Sequence, residues 1–91
     1  PTPVVRLTAA VAIAEAGNPA QGLAIVEGLA GVLSAYQPLH AARAALLAMT
    51  GDTAGAITAY AHAIATAPTP AEARFLERRL AGLTARGAAG F

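Results

Sequence analysis

The sequence repeats itself after 34 positions, and this repeat limits the folds open to the chain. The pair Gly17-Asn18 falls on Gly51-Asp52 when the sequence is shifted by 34 positions, and small residues then fall on small ones and large apolar residues on large apolar ones. The matched pairs are Ala10 with Ala44, Ile13 with Leu47, Ala14 with Ala48, Ala20 with Ala54, Leu23 with Ile57, Val26 with Tyr60 and Ala30 with Ile64. A period of this length, with two helices in each unit, is typical of helical solenoids.

Proline, glycine and small polar residues divide the chain into helical segments. Asn18-Pro19 and Thr69-Pro70 predict helix starts, because a polar cap followed by proline suits the first helical turn, and each has Gln or Glu three residues after the cap as in a capping box. Gly17 and Gly51 stand where a helix needs a left-handed residue to end. No segment alternates with period two, so we expect no strands. The predicted helices cover about residues 3–16, 19–33, 38–50, 53–66 and 70–84.

The second unit carries a set of spaced residues that resembles the tetratricopeptide repeat (TPR). That family has a small residue early in its second helix, then an aromatic residue, a second small residue and a proline, and Ala56, Tyr60, Ala63 and Pro68 match these places. Ala44 matches the small residue of the first helix. Spacings of three and four residues put Ala56, Tyr60 and Ala63 on one helical face. We therefore expect small residues to let neighbouring helices approach closely while the tyrosine fills the gap between them.

The first unit follows this pattern less closely. Gly22 and Val26 take the places of the small and the aromatic residue, and no proline ends the unit. A third unit is represented only by residues 70–83. The sequence thus predicts an all-α, TPR-like domain over residues 1–85, built from five helices in two antiparallel pairs plus a C-terminal capping helix. Residues 86–91 are predicted to be a flexible tail.

A more specific resemblance covers nearly the whole chain. Its sharpest elements are Pro3-Val4-Val5, Tyr36, His40-Ala41-Ala42-Arg43-Ala44 and Phe75-Leu76-Glu77-Arg78-Arg79-Leu80. These residues resemble the TPR-like C-terminal extension of a group of bacterial extracytoplasmic-function (ECF) sigma factors of RNA polymerase. The chain departs from that group at Leu7-Thr8-Ala9, where a Leu-Asn-Arg run is usual, and at Thr69, where Asn is usual.

The resemblance implies a non-catalytic, regulatory protein-interaction domain that acts in transcription initiation in the cytoplasm. The promoter-binding domains of a sigma factor are absent from these 91 residues. The expected partners are those sigma core domains, RNA polymerase, or a protein or peptide ligand, without direct DNA binding by this part. A generic TPR adaptor unrelated to transcription is the alternative, and the sequence upstream of Pro1 would distinguish the two.

Charge and composition agree with an interaction module. The net charge is only +1, so composition gives no case for nucleic-acid binding. The chain has no cysteine, which excludes disulfides and thiolate metal sites. Its hydrophobic content of 56% comes largely from alanine, and no window approaches the about 18 apolar residues of a membrane span.

No group of residues predicts catalysis, a metal site or a cofactor site. His40 and His62 are 22 positions apart and lack the spacing of a metal motif, so we expect one half-buried ring and one surface ring. Asp52 and Glu72 are explained by helix capping, and no acid pair or activated nucleophile is apparent. We therefore expect that the chain is not an enzyme.

Two sets of residues are candidates for binding. The first helices of the two units are expected to line a concave groove. Its candidate residues are Arg6, Thr8, His40 and Arg43. The second set is a concentration of charge near the C-terminus, which is either a solvated outer face or a docking patch for an acidic surface. Its residues are Arg74, Arg78 and Arg79. We also expect Val4, Val5 and Leu7 to pack against a surface outside this fragment, which predicts self-association into a homodimer.

Overall fold

In the computed structural model, which describes the backbone of residues 2–89 and the side chains of residues 2–85, the chain forms five α-helices. They are α1 (Pro3–Glu15), α2 (Pro19–Leu29), α3 (Gln37–Met49), α4 (Thr53–Ala65) and α5 (Pro70–Ala89). The described residues contain no strand, so the predicted all-α fold is confirmed. Helices α1 and α3 begin 34 positions apart, as do α2 and α4, so the repeat seen in the sequence is also a repeat of structure.

The helix starts are fixed by prolines and by polar caps. The side chain of Asp52 accepts a hydrogen bond from the amide of Gly55 at 2.9 Å, and the hydroxyl of Thr69 accepts one from the amide of Glu72 at 3.1 Å. The capping box predicted at Asn18 is wrong, because this side chain makes no cap hydrogen bond. At the start of α2, proline occupies the first helical position, where a missing N–H costs nothing.

The two inter-helix turns within the hairpins are the same structure used twice. Gly17 and Gly51 have φ of 111° and 90°, the left-handed conformation predicted for them. In the first turn the amide of Asn18 donates to the carbonyl of Ile13 at 3.1 Å, and the bond one period later, from Asp52 to Leu47, is 3.0 Å. The glycine and this hydrogen bond end each first helix, and the next helix runs antiparallel to it.

Two helices end elsewhere than the sequence predicts. Helix α2 ends at Leu29 rather than near residue 33, and residues 30–35 continue as turns in which the amide of Leu33 donates to the carbonyl of Leu29 at 2.9 Å. Gly28 and Gly31 flank this end, and glycine weakens a helix by about 1 kcal/mol relative to alanine.

Helix α5 continues to Ala89, past the predicted end at residue 84. No proline follows residue 84, and Ala85, Ala88 and Ala89 favour helix. Residues 86–89 of the predicted flexible tail thus belong to α5. Residues 90 and 91 lie outside the described part of the chain.

The core consists of two apolar clusters that share α3. The first joins α1, α2 and α3 through Leu7, Ala10, Ala14, Val26, Leu29, Leu39 and Leu46. The second joins α3, α4 and α5 through Ala44, Leu47, Ala56, Ala59, Tyr60, Ala63, Leu76 and Leu83. No polar or charged side chain is buried among residues 2–85. The contacts within the core are therefore apolar.

Small residues let the helices approach as predicted. Ala44, Ala56 and Ala63 are fully buried, and Tyr60 is buried between them. In the first hairpin, a Cβ at Gly22 would lie 2.5 Å from the carbonyl oxygen of Ala10, so α1 and α2 meet at a distance that only glycine allows.

The apolar residues at the start of α1 divide between the core and the surface. Leu7 is buried in the core of its own chain, so the prediction that it packs against an outside surface is wrong. Its position on α1 lies on the same face as Ala10 and Ala14, which also belong to the core. Val4 and Val5 are exposed.

Candidate functional site

One side of the fold is a groove lined by α1, α3 and α5. The stripe that α1 presents consists of Val4, Thr8, Val11 and Glu15. The stripe that α3 presents consists of Pro38, Ala42, Ala45 and Met49. Within each stripe the residues recur every three or four positions, and each α3 residue follows its α1 counterpart by 34 positions. The third wall, on α5, is formed by Phe75, Arg78, Arg79 and Gly82.

Exposed apolar side chains collect in this groove. Six large hydrophobic side chains are exposed among the described residues, and four of them line the groove or its edge. These four are Val4, Tyr36, Met49 and Phe75, with exposed fractions of 42%, 36%, 48% and 44%. Scattered single apolar residues are normal on a protein surface, but several in one concavity mark a site of interaction.

One part of the groove is a trough between α3 and α5. Its α3 wall consists of Ala45, Ala48 and Met49, and its α5 wall includes Gly82. Its floor is Tyr60 of α4, which is only 3% exposed. Because α5 packs mainly on α4 and the facing residues are small, the space between α3 and α5 stays open, with a volume of about 440 Å³.

Charged residues stand on opposite rims of the groove. Arg78 and Arg79 line the α5 side, and Glu15 lines the α1 side. The guanidinium of Arg79 lies 5.1 Å from the centre of the Phe75 ring, which is cation–π distance. Among the side chains that the structure describes, neither arginine forms an ion pair. Both are exposed, so their hydrogen-bond donors are free to meet a ligand.

The predicted docking patch divides at this rim. Arg78 and Arg79 line the trough, whereas Arg74 is exposed but does not line it. The sequence grouped the three arginines because they are close along one helix. Arg74 precedes Arg78 by one helical turn, and this position along α5 leaves it outside the trough.

The predicted groove set is not a single surface, and of its four residues only Thr8 lines the groove. The hydroxyl of Thr8 donates to the carbonyl of Val4 at 3.2 Å. Arg6 is exposed and lines none of the groove. His40 and Arg43 lie on the opposite side of α3, between α2 and α4. The correction has a simple cause: at 3.6 residues per turn, positions 40 and 43 face away from positions 42, 45 and 49.

His40 and Arg43 belong to a second pocket on that opposite side. Arg43 of α3 forms an ion pair with Glu27 of α2. The His40 Nε2–H donates to the carbonyl of Ser34 at 2.7 Å, and the ring contacts that of His62 at a centroid distance of 4.3 Å. These contacts tie α3 to its neighbours on both sides. The prediction of one half-buried and one exposed histidine is confirmed, but a separation of 22 positions does not indicate that the two rings meet.

Among the described residues, no three His, Asp or Glu side chains lie close enough together to hold a metal ion. In the same part of the chain, no helix has both the length and the apolar character needed to cross a membrane. What the groove offers chemically is an apolar surface with a large adaptable thioether, three aromatic rings and two cationic groups. These are features of a surface for binding a peptide or protein segment.

No family model matches the chain, and no solved structure matches it. One curated relative is an uncharacterized protein of Rhizobium meliloti (strain 1021), which is 40% identical over 88 residues. The match covers 97% of this chain and 21% of that protein, so the chain spans about a fifth of the length of the relative.

Proposed function

We propose that this chain is a non-catalytic protein-interaction domain, the C-terminal regulatory extension of an ECF sigma factor that controls transcription initiation in the cytoplasm. The observation that carries the proposal is the apolar groove of α1, α3 and α5, where four exposed large hydrophobic side chains meet. A folded domain that exposes such a groove has a surface built for association.

Two further observations support the transcriptional part of the proposal. The resemblance to the sigma-factor extension covers residues 3–83, and several of its elements contribute to the groove or to the helices that form it. In the Rhizobium meliloti relative, the matching segment is a fifth of a longer protein, as expected for a domain attached to others.

The partners that fit this proposal are the sigma core domains and RNA polymerase, contacted through the groove. Direct DNA binding fits less well, because a net charge of +1 supplies little of the phosphate attraction on which DNA binding depends. The concentration of cationic residues at the groove rim is a pair, Arg78 and Arg79, rather than a stripe.

The proposal is tested by measuring binding of the chain to a two-domain ECF sigma fragment and to core RNA polymerase, each purified separately. We expect one of them to bind in calorimetry, and a variant with Met49→Glu and Phe75→Glu to lose that binding. Val32→Glu is the matched control, since Val32 is exposed outside the groove and its variant should bind as before.

In cells, the gene that encodes this chain can be altered so that the equivalent of residues 3–83 is deleted, and promoter output measured. Altered output supports regulation, and unchanged output under every condition contradicts it. Binding to neither sigma fragment nor polymerase, together with a second solenoid encoded upstream of Pro1, would favour the generic TPR adaptor instead.

A further inference from the structure

We propose that the trough between α3 and α5 receives one bulky apolar side chain of a partner peptide in which an acidic residue lies next to that side chain. This inference rests on the proposed function and names the ligand chemistry of the same groove. It follows from the space in the trough, from the character of its floor and from the charges at its rim.

The space suits a side chain rather than a whole helix. The trough measures about 440 Å³, within the range of about 300–1,000 Å³ typical of ligand pockets. Its walls at Ala45, Ala48 and Gly82 are the smallest residues available. A Cβ placed on Gly82 meets no atom within 4 Å, so the opening above it is empty space.

The floor and walls of the trough suit the bulky apolar side chain of the peptide, which we call the anchor. Tyr60, Met49 and Leu83 line the trough, and a large apolar side chain is stabilised when it leaves water to contact them. Met49 is flexible and polarizable, which lets it adjust to an aliphatic or aromatic anchor.

The rim specifies the charge beside the anchor. Arg78 and Arg79 are exposed at the edge of the trough, and among residues with described side chains neither has an ion-pair partner. A guanidinium can bind a carboxylate through two parallel hydrogen bonds. An acidic residue beside the anchor would therefore supply an ion-pair partner for the two arginines at this rim.

Arg79 also shows how such a contact is oriented. Its guanidinium lies over the Phe75 ring, and a stacked guanidinium keeps the N–H groups at its edge available for a carboxylate. On the other rim, Glu15 repels an acidic residue at the far end of the peptide. The groove therefore favours one direction of binding, with the acidic end of the peptide over α5.

The probe is a set of three fluorescein-labelled peptides of twelve residues, measured by fluorescence anisotropy against the 91-residue chain. Twelve residues suffice because crossing three helix axes 8–10 Å apart takes about 20 Å, or about six extended residues. The first peptide carries a central Phe followed by Glu-Glu, the second replaces Glu-Glu with Lys-Lys, and the third replaces Phe with Ala. We expect the second and third to bind about tenfold more weakly than the first, a difference of about 1.4 kcal/mol. Equal affinity of all three overturns the proposal.

Filling the trough tests the space argument. Gly82→Leu places a side chain in the opening and improves helix propensity, so the variant should melt no lower than the parent and bind the first peptide about tenfold more weakly. Gly28→Leu is the control, because a Cβ at Gly28 also meets nothing within 4 Å but lies on α2, away from the groove. Unchanged binding by a folded Gly82→Leu variant contradicts the proposal.

Reversing the rim charges tests the acidic requirement. The double variant Arg78→Glu and Arg79→Glu should lose about tenfold in affinity for the Glu-Glu peptide and prefer the Lys-Lys peptide. Arg74→Glu makes a smaller change of the same sign on the same helix, outside the trough, and should leave the preference for the Glu-Glu peptide intact. If the double variant keeps that preference, the proposal is wrong.

Failure of this inference can be told apart from failure of the proposed function. Binding to the sigma fragment or polymerase that Gly82→Leu leaves intact would retain the function and refute the trough. If the chain prefers the first peptide but binds neither the sigma fragment nor polymerase, the proposal about the trough stands and the sigma-factor role is refuted. Sedimentation tests for one more occupant. If the chain self-associates, Gly82→Leu abolishes that self-association and no peptide binds, then a second copy of the chain occupies the trough and the proposal is overturned.

Discussion

The hairpins α1–α2 and α3–α4 follow the same path with different side chains. Their helices start 34 positions apart and their turns both end in a left-handed glycine. At three equivalent buried positions, however, the residues differ in size. The pairs are Gly22 with Ala56, Val26 with Tyr60, and Leu29 with Ala63.

The difference shows that one backbone period can be packed in two ways. The first hairpin brings its helices into contact at Gly22 and fills the remaining space with two aliphatic side chains. The second keeps alanine on both sides of one large ring, Tyr60. That ring also forms the floor of the trough, so in the second hairpin the residue that holds the helices together also shapes the binding surface.

Removing the ring of Tyr60 should have the largest effect on the free energy of unfolding. Tyr60→Ala leaves a cavity in the second hairpin, and we expect it to lower the free energy of unfolding by about 3–5 kcal/mol. Val26→Ala at the equivalent position removes fewer atoms and should cost about 2 kcal/mol. Urea unfolding followed by circular dichroism measures both. Tyr60→Phe, which keeps the ring, serves as the control, and equal losses for Tyr60→Ala and Val26→Ala would show that the hairpins are packed alike.

Adding one methyl group to the first hairpin should have the second-largest effect on stability. Gly22→Ala places a Cβ 2.5 Å from the backbone oxygen of Ala10, and moving the helices apart should cost about 1–3 kcal/mol despite the better helix propensity. Gly28→Ala has the same propensity gain without a neighbour and should stabilise by up to about 1 kcal/mol. Thermal melts of the two variants should therefore shift in opposite directions, and a shift in the same direction would mean that the close contact is unimportant.

Removing the helix caps of the two hairpins should give a smaller difference in stability. Asp52→Ala removes the hydrogen bond from the amide of Gly55 and should cost about 1 kcal/mol. Asn18→Ala at the equivalent place should change stability by less than about 0.5 kcal/mol, because no cap hydrogen bond exists there. Chemical denaturation of both variants in one buffer gives the comparison, and a loss at Asn18 as large as at Asp52 would contradict it.

The ion pair that joins the two hairpins should have the smallest effect. Arg43 and Glu27 are both partly exposed, so Arg43→Met should cost no more than about 1 kcal/mol, and this cost should shrink in about 1 M salt. Glu27→Gln should cost a similar amount. A double variant that costs as much as the two single variants together would show that the pair contributes no coupling energy.

Most of the fold follows from the sequence because its signals are local. Proline at helix starts, glycine at Gly17 and Gly51, and the shift of 34 positions together determine the helices and their pairing. The end of α5 does not follow, since the helix runs through Gly87 and no proline marks where it stops. The missing cap hydrogen bond at Asn18 does not follow either, because Asn is a favourable N-cap residue and its identity alone does not determine whether the bond forms.

The groove was harder to predict because α3 is apolar nearly all round. Alanine, leucine and methionine occupy most of its positions, so periodicity does not mark a single buried face. The repeat itself holds the missing information: shifting Arg6 by 34 positions gives His40, whereas shifting Thr8 gives Ala42. The predicted set therefore combined two faces of the repeat, and only the face of Thr8 and Ala42 lines the groove.

The order of packing along the chain has a consequence for how the protein folds and opens. Helices that pack together are nearly all consecutive in the sequence, with a small contact between α1 and α3 as the main addition. Contacts of such short range give low contact order, for which folding within about microseconds to milliseconds is expected. Helix α5 is held mainly by α4, so hydrogen exchange should report its opening before that of α3, which is shared by both clusters. The wall of the trough that carries both arginines is then also the part of the fold that can be released while the rest stays folded.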